Sequence, residues 1–149
     1  MPDILLVEDT LSLSRVYAEY LRDEPVSLHT VATGTEALEA LRRLRPSTVL
    51  LDLKLPDMDG LDILRTIRQE DLADTVIVIT AHGSVNVAVE AMQAGATDFL
   101  VKPFTANRLV VTLRNAMEQA SLRTIVATYR DTFDRREYCR FIGSSLPMQ

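Results

Sequence analysis

Five residues of this chain carry chemistry that their neighbours lack, and each follows a run of aliphatic residues. Glu8 and Asp9 follow Ile4–Val7, Asp52 follows Val49–Leu51, Thr80 follows Val76–Ile79, and Lys102 follows Leu100–Val101. Three carboxylates gathered at one point repel one another, by roughly 4 kcal/mol per pair at about 4 Å and an effective dielectric near 20. Something positive must offset that. A hard divalent cation such as Mg²⁺ suits carboxylate oxygens and water and takes one or two carboxylates directly. Lys102 adds an ammonium with three donors, and Thr80 a hydroxyl that can donate to an oxyanion. A phosphoryl group on Asp52 would bring oxygens able to bridge the metal, Lys102 and Thr80. Asp52 is then the nucleophile of an aspartyl-phosphate chemistry, with catalysis by positioning and charge neutralisation. Each residue also has a plainer reading. The acidic pair can be a helix N-terminal charge pair, Asp52 a turn residue, Thr80 a β-branched strand residue and Lys102 a solvated loop lysine. The order acid pair, Asp, Thr, Lys-Pro at four strand ends favours a single site.

The elements that must position these residues alternate between buried-strand and amphipathic-helix patterns. Strands are expected over Asp3–Val7, Ser27–Val31, Thr48–Leu51, Val76–Ile79 and Asp98–Val101. Ser27–Val31 has mixed polarity and is expected at an edge. Between them, Leu11–Leu21, Thr35–Leu44 and Leu61–Ile67 repeat apolar residues at helical spacing, with Gly34 and Thr35 as start residues for the second helix. Ser84 is expected to cap a helix that runs through Ala94 and stops at Gly95, and a long helix begins at about Ala106. Strands apolar on both faces imply a five-stranded parallel sheet, doubly wound with helices on both sides. Such sheets place their sites at the carboxyl ends of the strands, at the switch in strand order. All five residues fall there.

The chain resembles the CheY-like receiver domains over about residues 3–120. The likeness rests on LLVEDT, LLDLKLPDMDG, VIVITAHGS and AMQAGATDFLVKPF and on the spacing between them. The resemblance implies Asp52 as phosphoacceptor, Asp9 as direct Mg²⁺ ligand, Glu8 as the second acidic position acting through water, and Lys54 as a ligand through its backbone carbonyl. It implies Thr80 and Lys102 as the pair that holds the phosphoryl oxygens, Phe99 as the switch aromatic, and a cis bond before Pro103. Lys54 and His82, two residues past the acceptor and the threonine, would tune the lifetime of the phosphorylated form. TAHGS, followed by AVEAMQAGATDFLVKP, resembles receivers of NtrC-type activators of sigma-54-dependent transcription. VEDT and ANRLVVTLRNA resemble the LuxO-like quorum-sensing branch. The phosphoryl donor implied is a sensor histidine kinase or a histidine phosphotransfer protein.

The rest of the sequence sets the bounds. Of the 149 residues 47% are apolar, enough for a core, and no apolar run is long enough to span a bilayer. No signal peptide is evident, and the single Cys139 cannot form an internal disulfide, so a cytoplasmic location is expected. The net charge is −5; residues 121–149 hold five Arg against three acids, so residues 1–120 hold −7. An acidic body disfavours direct nucleic-acid binding. From Ala106 to Arg136 there is neither Gly nor Pro, and one helix over that length would run roughly 45 Å. Leu122, Ile125, Val126, Tyr129 and Phe133 continue an apolar stripe beyond the domain body, which suggests a linker helix pairing with a second chain to form a homodimer. The expected division is a receiver at 1–120, a linker helix at 121–140, and at 141–149 (FIGSSLPMQ) the start of an AAA+ ATPase domain. No G-x-x-x-x-G-K-[ST] loop is present and no separate helix-turn-helix segment, so the ATPase and DNA-binding domains would belong to a longer protein. Three alternatives are a stand-alone phosphorelay receiver, a haloacid-dehalogenase-type phosphohydrolase and a degenerate receiver used for binding alone. The second needs an acid two residues past the nucleophile, where Lys54 stands; the intact Asp9, Asp52, Thr80 and Lys102 set disfavours the third.

Overall fold

The computed structural model describes residues 1–81 and 85–118. In chain order the elements are β1 (Asp3–Val7), α1 (Leu11–Tyr20), β2 (Ser27–Val31), α2 (Gly34–Leu44), β3 (Thr48–Asp52), α3 (Gly60–Glu70), β4 (Thr75–Thr80), α4 (Val85–Gln93) and β5 (Asp98–Val101). A further helical run covers residues 106–118. The strands form one sheet in the order β2-β1-β3-β4-β5, parallel throughout. This is the doubly wound flavodoxin-like architecture that the alternation of elements implies.

Strand periodicity explains the two layers of core. Successive side chains point to opposite faces of the sheet. Leu5, Val7, Val49, Leu51, Val76 and Val78 therefore share one face, packed with Leu41, Leu64 and Ala91 of α2, α3 and α4. Ile4, Leu6, Leu50, Ile77 and Ile79 share the other, packed with Tyr17 of α1 and with Leu109, Leu113 and Ala116 of the last helix. β1, β3 and β4 are apolar on both faces because both are covered, and β2 is half-exposed because it is an edge.

Helix starts follow from side-chain caps. α2 begins at Gly34, one of the expected start residues, and Thr33, extended at φ −132° and ψ 162°, caps it by accepting from the Glu36 backbone N–H. Asp59 accepts from Leu61 N–H and caps α3. The expected Ser84 cap lies outside the described residues. Gly95 ends the α4 region at φ +110°, a left-handed conformation that favours glycine.

The start of α3 lies hard against the end of β3. A Cβ on Gly60 would fall 2.5 Å from Leu53 Cα and 2.7 Å from the Asp52 carbonyl oxygen, both backbone atoms that cannot swing aside. Gly60→Ala is therefore expected to cost about 1–3 kcal/mol of stability and to shift the loop beside Asp52. Urea denaturation checks this; a midpoint equal to that of the parent protein would show that the loop yields freely.

Candidate functional site

The sheet order places the carboxyl ends of β1 and β3 side by side at the switch point, with β4 and β5 next in line. Register then aligns the site. Asp52 pairs with Ile79, the residue before Thr80, and Thr80 pairs with Val101, the residue before Lys102. The Lys102 backbone N–H continues that ladder by donating to the Thr80 carbonyl at 2.8 Å.

The side chains converge. The Lys102 ammonium donates to Asp52 Oδ2 at 2.7 Å and lies 2.9 Å from Glu8 Oε1. Lys54 N–H donates to Asp52 Oδ1 at 2.9 Å, so both oxygens of that carboxylate are held. Thr10 N–H donates to Glu8 Oε2 at 3.2 Å. Among the described residues, Glu8, Asp9 and Asp52 each offer an oxygen, and these lie within 4.8 Å of one another. Glu8 and Asp52 are buried whereas Asp9 is exposed. A cavity of about 870 Å³ opens over them, lined by Asp9, Asp52, Lys54, Thr80 and Lys102 among others. Val87 and Glu90 of α4 form part of its wall.

Electrostatics follow from this crowding. Burial raises the Glu8 pKa above the usual carboxylate range, only partly countered by Lys102 and the Thr10 N–H. Burial also works against the Lys102 ammonium, but the Asp52 and Glu8 carboxylates outweigh it and hold its pKa above the ordinary lysine value. Glu8 Oε1 is fully buried; it meets the Lys102 ammonium at 2.9 Å as an ion pair, and among the described residues no group gives it a well-aligned hydrogen bond. A buried carboxylate oxygen with acceptor capacity to spare, beside two further carboxylates, fits a hard cation with oxygen ligands. The cluster can hold a metal ion.

Other expected positions lie farther out. Phe99 is half-buried against the α2–α4 side of the core. It is not part of the cavity over Asp52; it lines a separate groove with Pro103, Phe104 and Arg108. The Lys102-Pro103 bond is cis. His82 and the linker at 121–140 fall outside the described residues, as does the segment 141–149. Among the described residues no helix is long and apolar enough to cross a membrane.

Asp57, in the β3–α3 loop, is a functional-site neighbour that was not singled out from the sequence. Its carboxylate accepts from Gly34 N–H at 2.8 Å, Thr35 N–H at 3.0 Å and the Thr35 hydroxyl at 2.8 Å, clamping the β3–α3 loop onto the start of α2. These bonds hold its pKa below the usual 3.8. A depressed carboxyl stabilises the fold above its unfolded value and stops doing so as the pH falls through the folded value. The melting-temperature gap between the parent and Asp57→Ala is thus expected to stay constant above pH 3.8 and to close below it. Thermal melts across that range check the sign; a gap that widened in acid would refute the clamp.

The comparisons with known proteins agree with this geometry. Residues 4–114 match the response regulator receiver domain. The regulatory protein LuxO of Vibrio cholerae is 42% identical over 146 residues, covering 97% of this chain and 31% of the relative. The nitrogen assimilation regulatory protein NtrX of Azorhizobium caulinodans is 39% identical over 81% of this chain and 27% of its own length. The crystal structure of the signal receiver domain of a LuxO repressor protein from Vibrio parahaemolyticus superposes with a TM-score of 0.80 at 46% identity, covering 84% of this chain and 96% of that one. The present chain thus spans 31% of the length of the Vibrio cholerae LuxO protein and 27% of that of NtrX. Parallel strands that deliver two buried acids and a lysine to one rim, together with a family match over residues 4–114, place the chain in the response regulator receiver domain family, a family of signalling domains.

Proposed function

We propose that Asp52 accepts a phosphoryl group from a sensor histidine kinase or a histidine phosphotransfer protein. The observation that carries this reading is the Lys102 ammonium 2.7 Å from Asp52 Oδ2, in a cluster where Glu8, Asp9 and Asp52 oxygens lie within 4.8 Å. An Asp52 oxygen attacks phosphorus; the new O–P bond forms as the donor's P–N bond, or the P–O bond of acetyl phosphate, breaks and the leaving group keeps the electron pair. Lys102 offsets charge on the incoming oxygens, and the Thr80 hydroxyl donates to one of them. Lys54 N–H orients the attacking carboxylate. Mg²⁺ would be held by Asp9, Asp52 and the Lys54 carbonyl, with Glu8 acting through water, and would neutralise further phosphoryl charge when bound. The same residues would assist hydrolysis of the aspartyl phosphate, with Lys54 and His82 setting its rate.

The wider reading concerns a longer protein. The likeness to LuxO extends over 146 residues, past the domain body, and this chain covers 31% of that relative. This supports a receiver at 1–120 joined by a linker at 121–140 to an ATPase domain beginning in 141–149. In that arrangement phosphorylation repositions Thr80 and Phe99 and alters a homodimer through the linker. It thereby controls a sigma-54-dependent activator of the LuxO or NtrX kind in the cytoplasm, with quorum sensing as its setting and no nucleic-acid contact by the receiver itself.

Intact mass after incubation with acetyl phosphate and Mg²⁺ tests the central step. One added phosphoryl group, absent when Mg²⁺ is chelated, is expected. A protein that gains none with acetyl phosphate or with a phosphorylated histidine phosphotransfer domain defeats the reading.

A further inference from the structure

The acids and the ammonium of the site come from strands that do not touch. Glu8 and Asp9 follow β1, Lys102 follows β5, and β3 and β4 stand between them in the sheet. Backbone register places Thr80 against Val101 but does not by itself place the Lys102 side chain against Glu8. A direct link between the two ends exists on the face covered by α1. Tyr17 of α1, only 4% exposed, stacks on Phe104 with ring centroids 4.9 Å apart and planes 23° apart. Tyr20 meets the same Tyr17 ring at 6.3 Å and 45°. Phe104 is two residues from Lys102, and Tyr17 lies two helical turns from the acidic pair.

We propose that Tyr17 is a positioning residue for Lys102, holding the 102–104 segment against α1 through its stack on Phe104. The proposal rests on the reading of Lys102 as the cation of a phosphoryl site. The site's charges are near enough to influence Tyr17. Burial raises its hydroxyl pKa, and the next influence is Lys102, followed by Glu8 and Asp52. Tyr17 is otherwise a core residue, packed with Phe104 in one cluster with Ile4, Leu6 and Ile79. Its distinctive contribution is geometric. Stacked rings fix both distance and tilt, whereas an aliphatic side chain of similar volume fills the space without fixing the loop. A lysine has a flexible four-carbon stem and needs its backbone fixed if its ammonium is to meet two carboxylates at once.

The test uses Tyr17→Leu, Tyr17→Phe, Phe104→Leu and the Tyr17→Leu/Phe104→Leu double variant of the whole chain, with two readouts. The first is the kinetics of phosphorylation by acetyl phosphate. The maximal rate of Tyr17→Leu is expected to fall about tenfold with the half-saturating donor concentration unchanged, and Tyr17→Phe, which keeps the ring, restores the rate. Phe104→Leu gives the same loss, and the double variant loses no more than either single one. The second readout is independent of phosphorylation: acetylation of Lys102 by acetic anhydride, followed by peptide mass spectrometry, rises severalfold in both Leu variants because the amine is no longer shielded between carboxylates. Wild-type labelling of Lys102 in the Leu variants, a Tyr17→Phe protein as slow as Tyr17→Leu, or losses that add in the double variant would each overturn the proposal. Should Tyr17→Leu fail to fold, Phe104→Leu breaks the same stack and is judged alone. If the parent protein takes no phosphoryl group but Lys102 labelling still follows the stack, the phosphorylation reading fails and the positioning role stands.

Discussion

An Asp52→Asn protein is expected to keep its fold and take no phosphoryl group from acetyl phosphate. The amide has no carboxylate oxygen to attack phosphorus, while its carbonyl oxygen can still accept the Lys54 N–H that holds Asp52 at 2.9 Å. The charge balance decides stability. At an effective dielectric near 20, attraction between Asp52 and an ammonium at 2.7 Å is worth about 6 kcal/mol. Repulsion from each of two carboxylates with oxygens within 4.8 Å is worth about 3.5 kcal/mol. The substitution removes both, the effects nearly offset, and the melting temperature without divalent ions is expected to stay within about 5 °C of the parent. Metal separates the two proteins. The parent is expected to gain about 2.7 kcal/mol of stability at a hundredfold excess of Mg²⁺ over its Kd, and the variant, short of one of the three carboxylates that could hold the ion, is expected to gain less at the same concentration. Phosphoryl mass on the folded variant would move the acceptor elsewhere.

Much of this site was legible because a parallel sheet brings the carboxyl ends of its strands to one rim. Once Ile4–Val7, Val49–Leu51 and Val76–Ile79 are recognised as buried strands, the polar residues that end them become neighbours, though they lie far apart in sequence. The start of α2 at Gly34 was legible too, and Glu36 three residues past Thr33 is the capping-box signature that marks Thr33 as its cap. Asp57 was not legible. A Pro-Asp pair signals a turn, and nothing local says that the carboxylate caps a helix formed some twenty residues earlier. Tyr17 was visible only as one apolar member of a helical stripe, because periodicity shows which face is buried but not which ring it meets. Phe99 packs against the α2–α4 side of the core and does not line the cavity, so the switch role that the resemblance implies would require a movement that sequence cannot describe.

Loss of Lys102 is expected to have the largest combined effect on stability and phosphorylation. In Lys102→Ala, Glu8 and Asp52 lose their shared cation; their side chains are 0% and 5% exposed, whereas that of Lys102 is 18% exposed. Removing one partner of a buried ion pair costs about 3–5 kcal/mol. The open cavity above Asp52 admits water, which places this case at about 3 kcal/mol, near the lower end of that range. The pH dependence identifies the cause. Burial holds the Glu8 pKa up and Lys102 is the main influence against it, so without the lysine the pKa rises further. An acid with a raised folded pKa favours folding below its ordinary value of 4.5 and ceases to as the pH rises through the folded value. The stability deficit of Lys102→Ala is therefore expected to be full at neutral pH and to shrink as the pH falls towards 4.5. Mg²⁺ at neutral pH should also shrink it, because a divalent cation supplies the charge the ammonium gave. Phosphorylation should not recover with it. The maximal rate is expected to fall by about 100- to 1000-fold even at saturating Mg²⁺, since on the proposed function the lost donor serves the phosphoryl oxygens rather than the metal. Chemical denaturation at two pH values, with and without Mg²⁺, alongside phosphorylation rates, separates the roles. A deficit indifferent to both pH and metal would mean that Lys102 matters for packing, not charge, and full activity in Mg²⁺ would remove it from the phosphoryl site.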